Sequence, residues 1–407
     1  MKKEGKRLSQ IAYWCFYIAV ILEVMLVIID KSDFTNPIEG RLFQLTFLLF
    51  FIKVLLTRYT WKEYAILLLF GILGAVSYFV TGRNEIVRLV MMIGACKGID
   101  MRKCLKLVFF MTLAGCGALV MLSVTGIYGN LSLTLDFGRG GVETRYVLGM
   151  GHPNALQCMI WALTTLFLYL YGENLKWYYY LLLALGNVGF FLLTDSKTSL
   201  LVSLFIIAMV FCMTRLKREG SAKLRNAGML IMCSLTVFSI GISVLIAKKA
   251  YLVYNHDWYE TSDPETMFYV KLNSILTGRI RSLTGTTGWE GTMPTWSLFS
   301  RPENNSFFDM GWIRLFYWYG VIPGCIFVAV VLILLIYFYR KKDYMSIALI
   351  TAISLYNIAE AHVISDYLAR NYLFFLIGGV WCDVIKGYRS WRMPKGTERK
   401  DISWNNG

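Results

Sequence analysis

An arginine, a histidine and a helix start stand close together in the stretch Arg145-Tyr-Val-Leu-Gly149-Met-Gly151-His152-Pro153-Asn154. Pro153 and Asn154 open a long apolar run, so the unpaired backbone N–H groups of a helix N-terminus gather at that point. Such a terminus favours an anion, and Arg145 and His152 would add donors to the same spot. A plain turn built of Gly, Pro and Asn would read the same way. Arg139 precedes this stretch, and Arg279, Arg281 and Arg301 lie further along. The guanidinium fork takes phosphate oxygens in pairs and keeps its charge in any surroundings. Each of these arginines alone also fits a solvated loop surface; as a set they point to an anionic ligand.

A second group of polar residues has no ordinary reason to be where it is. Glu23, Lys53, Arg88, Asp195, Arg314 and Glu360 fall within or at the edges of apolar runs, where ionisable side chains are costly and usually face an interior cavity. Lys53 and Arg88 are long enough to reach the interface along the outside of a helix, and that is the expected reading for both. Glu360, in Ala359-Glu360-Ala361-His362, is shorter. A functional role and an interfacial one are equally open to it.

The elements that must position these residues are membrane helices. Of 407 residues, 57% are hydrophobic and 16% charged, and the mean hydropathy is +0.53. That is too little charged surface for a soluble domain of this length, while a helical span needs about 20 apolar residues. Runs of this kind occur at 11–29, 42–56, 64–80, 86–99, 105–124, 154–171, 177–194, 199–213, 228–247, 312–339, 344–360 and 372–385, the second and fourth being short. The first continues to Asp30 without a small-residue cleavage site and reads as a retained span. The expected fold is therefore an all-α polytopic membrane protein forming a single domain over 1–407, with about twelve transmembrane helices. With both termini in the cytoplasm, the inner segments hold 25 Lys and Arg and the outer ones 15, as the positive-inside rule requires. The net charge of +15 is then an orientation signal, and nucleic acid is not an expected partner.

Two outer segments exceed what a connection needs: a first loop at 126–153 and a second at 248–311. Ser262-Asp263-Pro264-Glu265 is a helix start signal, and the residues behind it alternate apolar and basic in the manner of an amphipathic helix near 264–283 lying on the membrane surface. None of the nine cysteines forms a CxxC and the chain has three histidines, so neither a disulfide framework nor a metal site is expected.

These residues resemble the Wzy-type polysaccharide polymerases, within the wider O-antigen ligase and polymerase superfamily. Arg145 to Asn154 is similar to that family's arginine segment ending Gly-x-His-Pro-Asn. Leu193-Thr-Asp-Ser-Lys-Thr198 is similar to its Thr-x-Ser-Arg-Thr segment, with Lys197 in the place of Arg. Leu272 to Ile280 resembles Leu-x-Gly-Arg-Ile, and Phe308 to Ile322 resembles its Asp-Asn-Gly-Tyr segment, with Met310 in the place of Asn. Lys197 has no bidentate fork, and Met310 lacks the side-chain hydrogen bond.

The resemblance implies a helical glycosyltransferase of GT-C-like architecture in a bacterial cytoplasmic membrane. It would move a growing glycan from undecaprenyl pyrophosphate to a hydroxyl of an incoming lipid-linked repeat unit at the outer face, making capsule, exopolysaccharide or O-antigen. Arg279 and Arg145 are expected to stabilise the leaving diphosphate, with Arg314, Asn154, Arg139, Arg301 and Lys197 binding diphosphate or glycan. His152, Asp309 and Glu360 are the candidates for the base. No metal and no cofactor are implied. The implied partners are the lipid-linked oligosaccharide, membrane lipids, a chain-length regulator and a flippase. A ligase-type transferase passing a finished glycan to another acceptor has the same demands. A transporter would instead set its polar groups at the bilayer midplane, on broken helices in symmetric halves.

Overall fold

Apolar runs in hydrocarbon must satisfy their backbone hydrogen bonds internally, which a helix does within one segment. The computed structural model, which describes residues 2–137, 141–254, 263–285, 290–363 and 365–387, is accordingly helical apart from one hairpin. Helices α1 (Lys2–Asp30), α2 (Glu39–Leu55), α3 (Trp61–Thr81), α4 (Glu85–Ala95) and α5 (Met101–Val124) come first. Strands β1 (Ser132–Asp136) and β2 (Val142–Tyr146) follow, then α6 (Pro153–Tyr171), α7 (Trp177–Thr194), α8 (Lys197–Arg218) and α9 (Ala222–Lys249). Two short helices, α10 (Pro264–Ile275) and α11 (Arg279–Gly285), precede α12 (Gly311–Tyr319), α13 (Val321–Lys341), α14 (Tyr344–Tyr356) and α15 (Tyr372–Ile385).

Eight of these, α1, α3, α5, α6, α7, α8, α9 and α13, are long and apolar enough to cross a membrane. Large apolar side chains stand on the outside of the bundle, among them Phe79 at 84% and Leu192 at 76% exposure. An exterior of this kind is built for lipid, and the chain is a multi-pass membrane protein. α14 forms the middle. Nearly all its residues are buried, and it packs on α6, α8, α9 and α13. Because lipid is as apolar as leucine, polar contacts help to hold such helices together: Thr351 Oγ1 meets Thr236 Oγ1 at 3.1 Å, and Tyr356 Oη meets Ser199 Oγ at 3.0 Å.

The connections gather at two ends. At one, Gly151 N–H reaches Lys31 O (2.9 Å), Asn130 N–H reaches Asp33 (2.8 Å) and Arg83 reaches Asn304 O (3.3 Å). At the other, Lys97 meets Glu63 (2.6 Å), Arg102 meets Leu170 O (2.7 Å) and Lys342 meets Asn226 (3.0 Å). The first end carries both long loops and the site described below.

The structure departs from the sequence expectations in several places. The first loop holds the β1–β2 hairpin, paired antiparallel from Ser132↔Tyr146 to Asp136↔Val142. The stretch 264–283 is two helices, because Thr277 (φ +55°) and Gly278 (φ +79°) turn the chain between them. Gly278 N–H closes that turn on Asn273 O at 2.9 Å, and the Asn273 side chain takes Arg281 N–H at 2.9 Å. The run 312–339 is interrupted at Gly320 (φ +96°), where an added Cβ would stand 2.6 Å from Phe299 Cα, and the run 344–360 stays helical only to Tyr356. Finally, Lys53 and Arg88 do not lie along the outside. Lys53 is buried against Thr57 Oγ1 (2.8 Å) and Lys97 O (3.1 Å). Arg88, 4% exposed, pairs with Glu23 at 3.0 Å. Each sits near an end of its helix and is held by partners there, so neither extends over the lipid-facing surface.

Candidate functional site

The hairpin is why Arg145 is not a surface residue. In β2 it sits opposite Leu133, is only 6% exposed, and lays its guanidinium over the Phe137 ring at 4.3 Å. It contacts Glu143 and stands 3.5 Å from Asp195 Oδ2. Asp195 closes α7 in a left-handed conformation (φ +52°), which Asp tolerates better than most residues. The resulting tight turn delivers Ser196, Lys197 and Thr198 to the same place. The α10–α11 break does the same for Thr277 and Arg279.

A cavity of about 290 Å³ forms where these three segments meet the start of α6. Arg145, Lys197 and Arg279 supply its positive charge, His152 and Asn154 its α6 wall, and Asp136 and Asp195 its carboxylates. Two helices begin at its rim, and they differ. On α6 the Nδ1 of His152 accepts Asn154 N–H at 3.1 Å, so that terminus is capped. On α8 the Ser196 side chain makes no capping bond, so the first N–H groups of this 22-residue helix are left without a side-chain acceptor from the cap residue. The anion-favouring terminus is therefore that of α8, whereas the sequence drew attention to α6.

Capping also fixes the chemistry of His152. Its Nδ1 lone pair is in use, so the neutral ring carries its proton on Nε2 and is a donor. Burial holds His152 below the ordinary imidazole range; Arg145 and Arg279 push the same way and Asp309 opposes them. A neutral Nε2–H side chain suits binding an oxygen better than taking a proton from one.

Behind Arg279 lie two more carboxylates. Its Nη2 contacts Glu360 Oε1, its Nε stands 3.9 Å from Asp309 Oδ2, and its Nη1 donates to Leu276 O at 3.1 Å. Glu360 belongs to the connection after α14, which Asn357 organises: Asn357 Oδ1 accepts His362 N–H (3.1 Å) and Val363 N–H (2.9 Å). Burial pushes the Glu360 carboxyl up to about 7, with Arg279 offsetting part of the rise.

Five of the residues singled out by sequence, Arg145, His152, Asn154, Lys197 and Arg279, thus line one cavity, with Asp309 and Glu360 adjoining it. Arg314 is elsewhere: it is 2% exposed, contacts Phe308 O and stacks between Phe307 (3.8 Å) and Trp318 (4.7 Å). Arg301 is exposed and does not line the cavity, and Arg139 lies outside the described residues. Sequence reasoning missed Asp136 and Phe137. The alternation Ser-Leu-Thr-Leu-Asp ahead of Gly138 and Gly140 was the available signal.

A second, almost wholly apolar groove of about 310 Å³ runs between α3, α4, α13 and α15. The connection that carries Glu360 contributes Val363, Ser365 and Leu368 to it. Among the described residues no three His, Cys, Asp or Glu side chains are grouped to hold a metal ion. No family model, no curated protein and no solved structure matches the chain.

Proposed function

We propose that this protein is a glycosyltransferase that polymerises undecaprenyl-pyrophosphate-linked repeat units at the outer face of a bacterial cytoplasmic membrane. The observation that carries the reading is the convergence of Arg145, Lys197 and Arg279, from three separate segments, on one polar cavity beside the open N-terminus of α8. A lipid diphosphate needs this arrangement. Its charge grows as the glycosyl bond breaks, and preorganised cations in a water-poor site are the usual means of stabilising such charge. Carboxylates among the cations, Asp136 and Asp195, suit sugar hydroxyls, which donate hydrogen bonds that a phosphate cannot.

In this reading the chain crosses the membrane twelve times in a GT-C-like arrangement, both termini are cytoplasmic, and the end bearing the cavity faces outward. The alternation of the connections between two ends of the bundle and the excess of Lys and Arg on the other end support it. Arg145 and Arg279 hold the leaving diphosphate, Lys197 and the α8 terminus add to it, and His152 Nε2–H and Asn154 bind diphosphate or glycan oxygens. The apolar groove bordering the Glu360 connection offers the isoprenoid tail a lipid-like bed.

The test is reconstitution of the purified protein with lipid-linked repeat units. A ladder of oligomers supports a polymerase. A single transfer to a different acceptor would make the enzyme ligase-type, and no transfer of any kind would end the reading. Arg279→Ala is expected to leave a folded, membrane-inserted protein that makes no polymer.

A further inference from the structure

Glu360 and the cavity are separated by a single side chain. Arg279 lines the cavity, while its Nη2 is in contact with Glu360 Oε1 on the far side; the Glu360 side chain is only 11% exposed. The same guanidinium is thus shared between the place where a diphosphate would sit and a carboxylate that does not itself line the cavity. Resting on the proposed reading of this cavity, we infer that the donor diphosphate takes Arg279 away from Glu360, and that Glu360, so uncovered, is the base that accepts the proton of the acceptor hydroxyl.

The other candidates fit the role less well. The capped His152 presents a donor, and Asp309, with 41% of its side chain exposed, has water to compete with. The groups facing Glu360 make the exchange meaningful. Arg279 comes from α11, Asp309 from the segment before α12, Arg370 from the turn before α15, and Tyr356 from the end of α14. Asp309 opposes ionisation of Glu360, whereas Arg279 and the more distant Arg370 favour it. Losing the nearest cation leaves a buried carboxylate poorly paired, and such a group takes up a proton readily. In the step itself the acceptor O–H bond breaks and its proton passes to Glu360. The oxygen forms the new bond to the anomeric carbon, and the carbon–oxygen bond to the diphosphate breaks with its electron pair leaving on the diphosphate. Arg279 then stands where that charge appears.

The alternative is a fixed Arg279 that Glu360 merely props in place, and the two make opposite predictions. Inorganic pyrophosphate titrated into the purified full-length protein, wild type and Glu360→Gln, is the test. Exchange predicts that Glu360→Gln binds roughly tenfold tighter or better, because a competitor for the guanidinium is gone, while polymerisation is lost. It also predicts that pyrophosphate binding near pH 7.5 takes up more protons in the wild type than in Glu360→Gln, where only the ligand's own ionisation remains, seen by calorimetry in two buffers of different ionisation heat. Weaker binding by Glu360→Gln, or the same proton exchange in both proteins, would overturn the exchange and leave the diphosphate site standing. No pyrophosphate binding by the wild type would overturn the reading of the cavity and this inference with it.

Discussion

His152 Nδ1 accepts the backbone N–H of Asn154 at 3.1 Å, and this one bond makes the histidine both the cap of α6 and a donor toward the cavity. The two roles separate by substitution. His152→Ala should cost about 1 kcal/mol of stability through the lost cap and roughly 10²-fold in turnover through the lost donor. His152→Asn, a favoured cap residue, should recover the melting temperature but not the turnover. A pH–rate limb that disappears in His152→Asn would show that the imidazole does titrate in the reaction.

The pH dependence should instead follow Glu360. Its carboxyl is raised to about 7 by burial with Arg279 still beside it. Below that pH the group is protonated and accepts nothing, so kcat/KM should fall about tenfold per unit as the pH drops and level off above it. With diphosphate holding Arg279, the limb in kcat should lie at higher pH than the limb in kcat/KM. Glu360→Gln should flatten both on a much lower rate. Coincident limbs in wild-type profiles would contradict the uncovering of Glu360.

Much of the site was legible because its residues are of costly types in unusual places. Arginines in long loops and a glutamate among alanines stand out in a sequence of 16% charged residues. What brings them together was not legible. The Asp195 turn and the Thr277–Gly278 break depend on single residues with positive φ, and the amphipathic pattern runs straight through the second. Arg314 and Arg145 look alike in the sequence, yet only Arg145 lines the cavity. Arg145 lies in β2 and Arg314 in α12, and only tertiary packing decides which is folded under aromatic rings and which opens into a cavity. The run 312–339 concealed a break because Gly320 is one small residue within an apolar sequence.

Gly311 should be as sensitive as any charged residue in the site. A Cβ there would collide with Asn357 Oδ1, the acceptor that holds His362 and Val363 N–H, and would stand 2.9 Å from Glu360 O. Gly311→Ala should therefore lose about 1–3 kcal/mol by overpacking and, by shifting the Glu360 connection, lower kcat more than it raises KM. Gly117→Ala, with nothing within 4 Å of the new methyl, is the control: it should leave turnover unchanged and melt no lower, alanine being the better helix former within α5. Equal behaviour of the two variants in melting and turnover would dissociate Gly311 from the site.

The Glu23–Arg88 pair anchors the same connection from the opposite side. Arg88 donates to Glu23 (3.0 Å) and to Asp366 O (2.8 Å) and stacks on Phe43 (3.9 Å); Glu23 also accepts from Thr46 Oγ1 (2.6 Å) and Leu368 N–H (3.2 Å). Both side chains are almost fully buried, at 5% and 1% exposure. Removing one partner from such a pair leaves an uncompensated charge and typically costs about 3–5 kcal/mol, whereas replacing both can be nearly neutral. Arg88→Met alone should thus sharply lower the melting temperature in detergent. Glu23→Gln with Arg88→Met should regain most of the loss, since the amide oxygen can accept Leu368 N–H while the NH2 donates to Thr46 Oγ1, whose own hydrogen turns to Phe43 O. The double variant should nevertheless turn over slowly, because Asp366 O has lost its tether and the strand of chain between α14 and α15 is held at one point fewer. A double variant no more stable than Arg88→Met would mean that the cation–π contact and the Asp366 bond, and not charge neutralisation, hold this corner together.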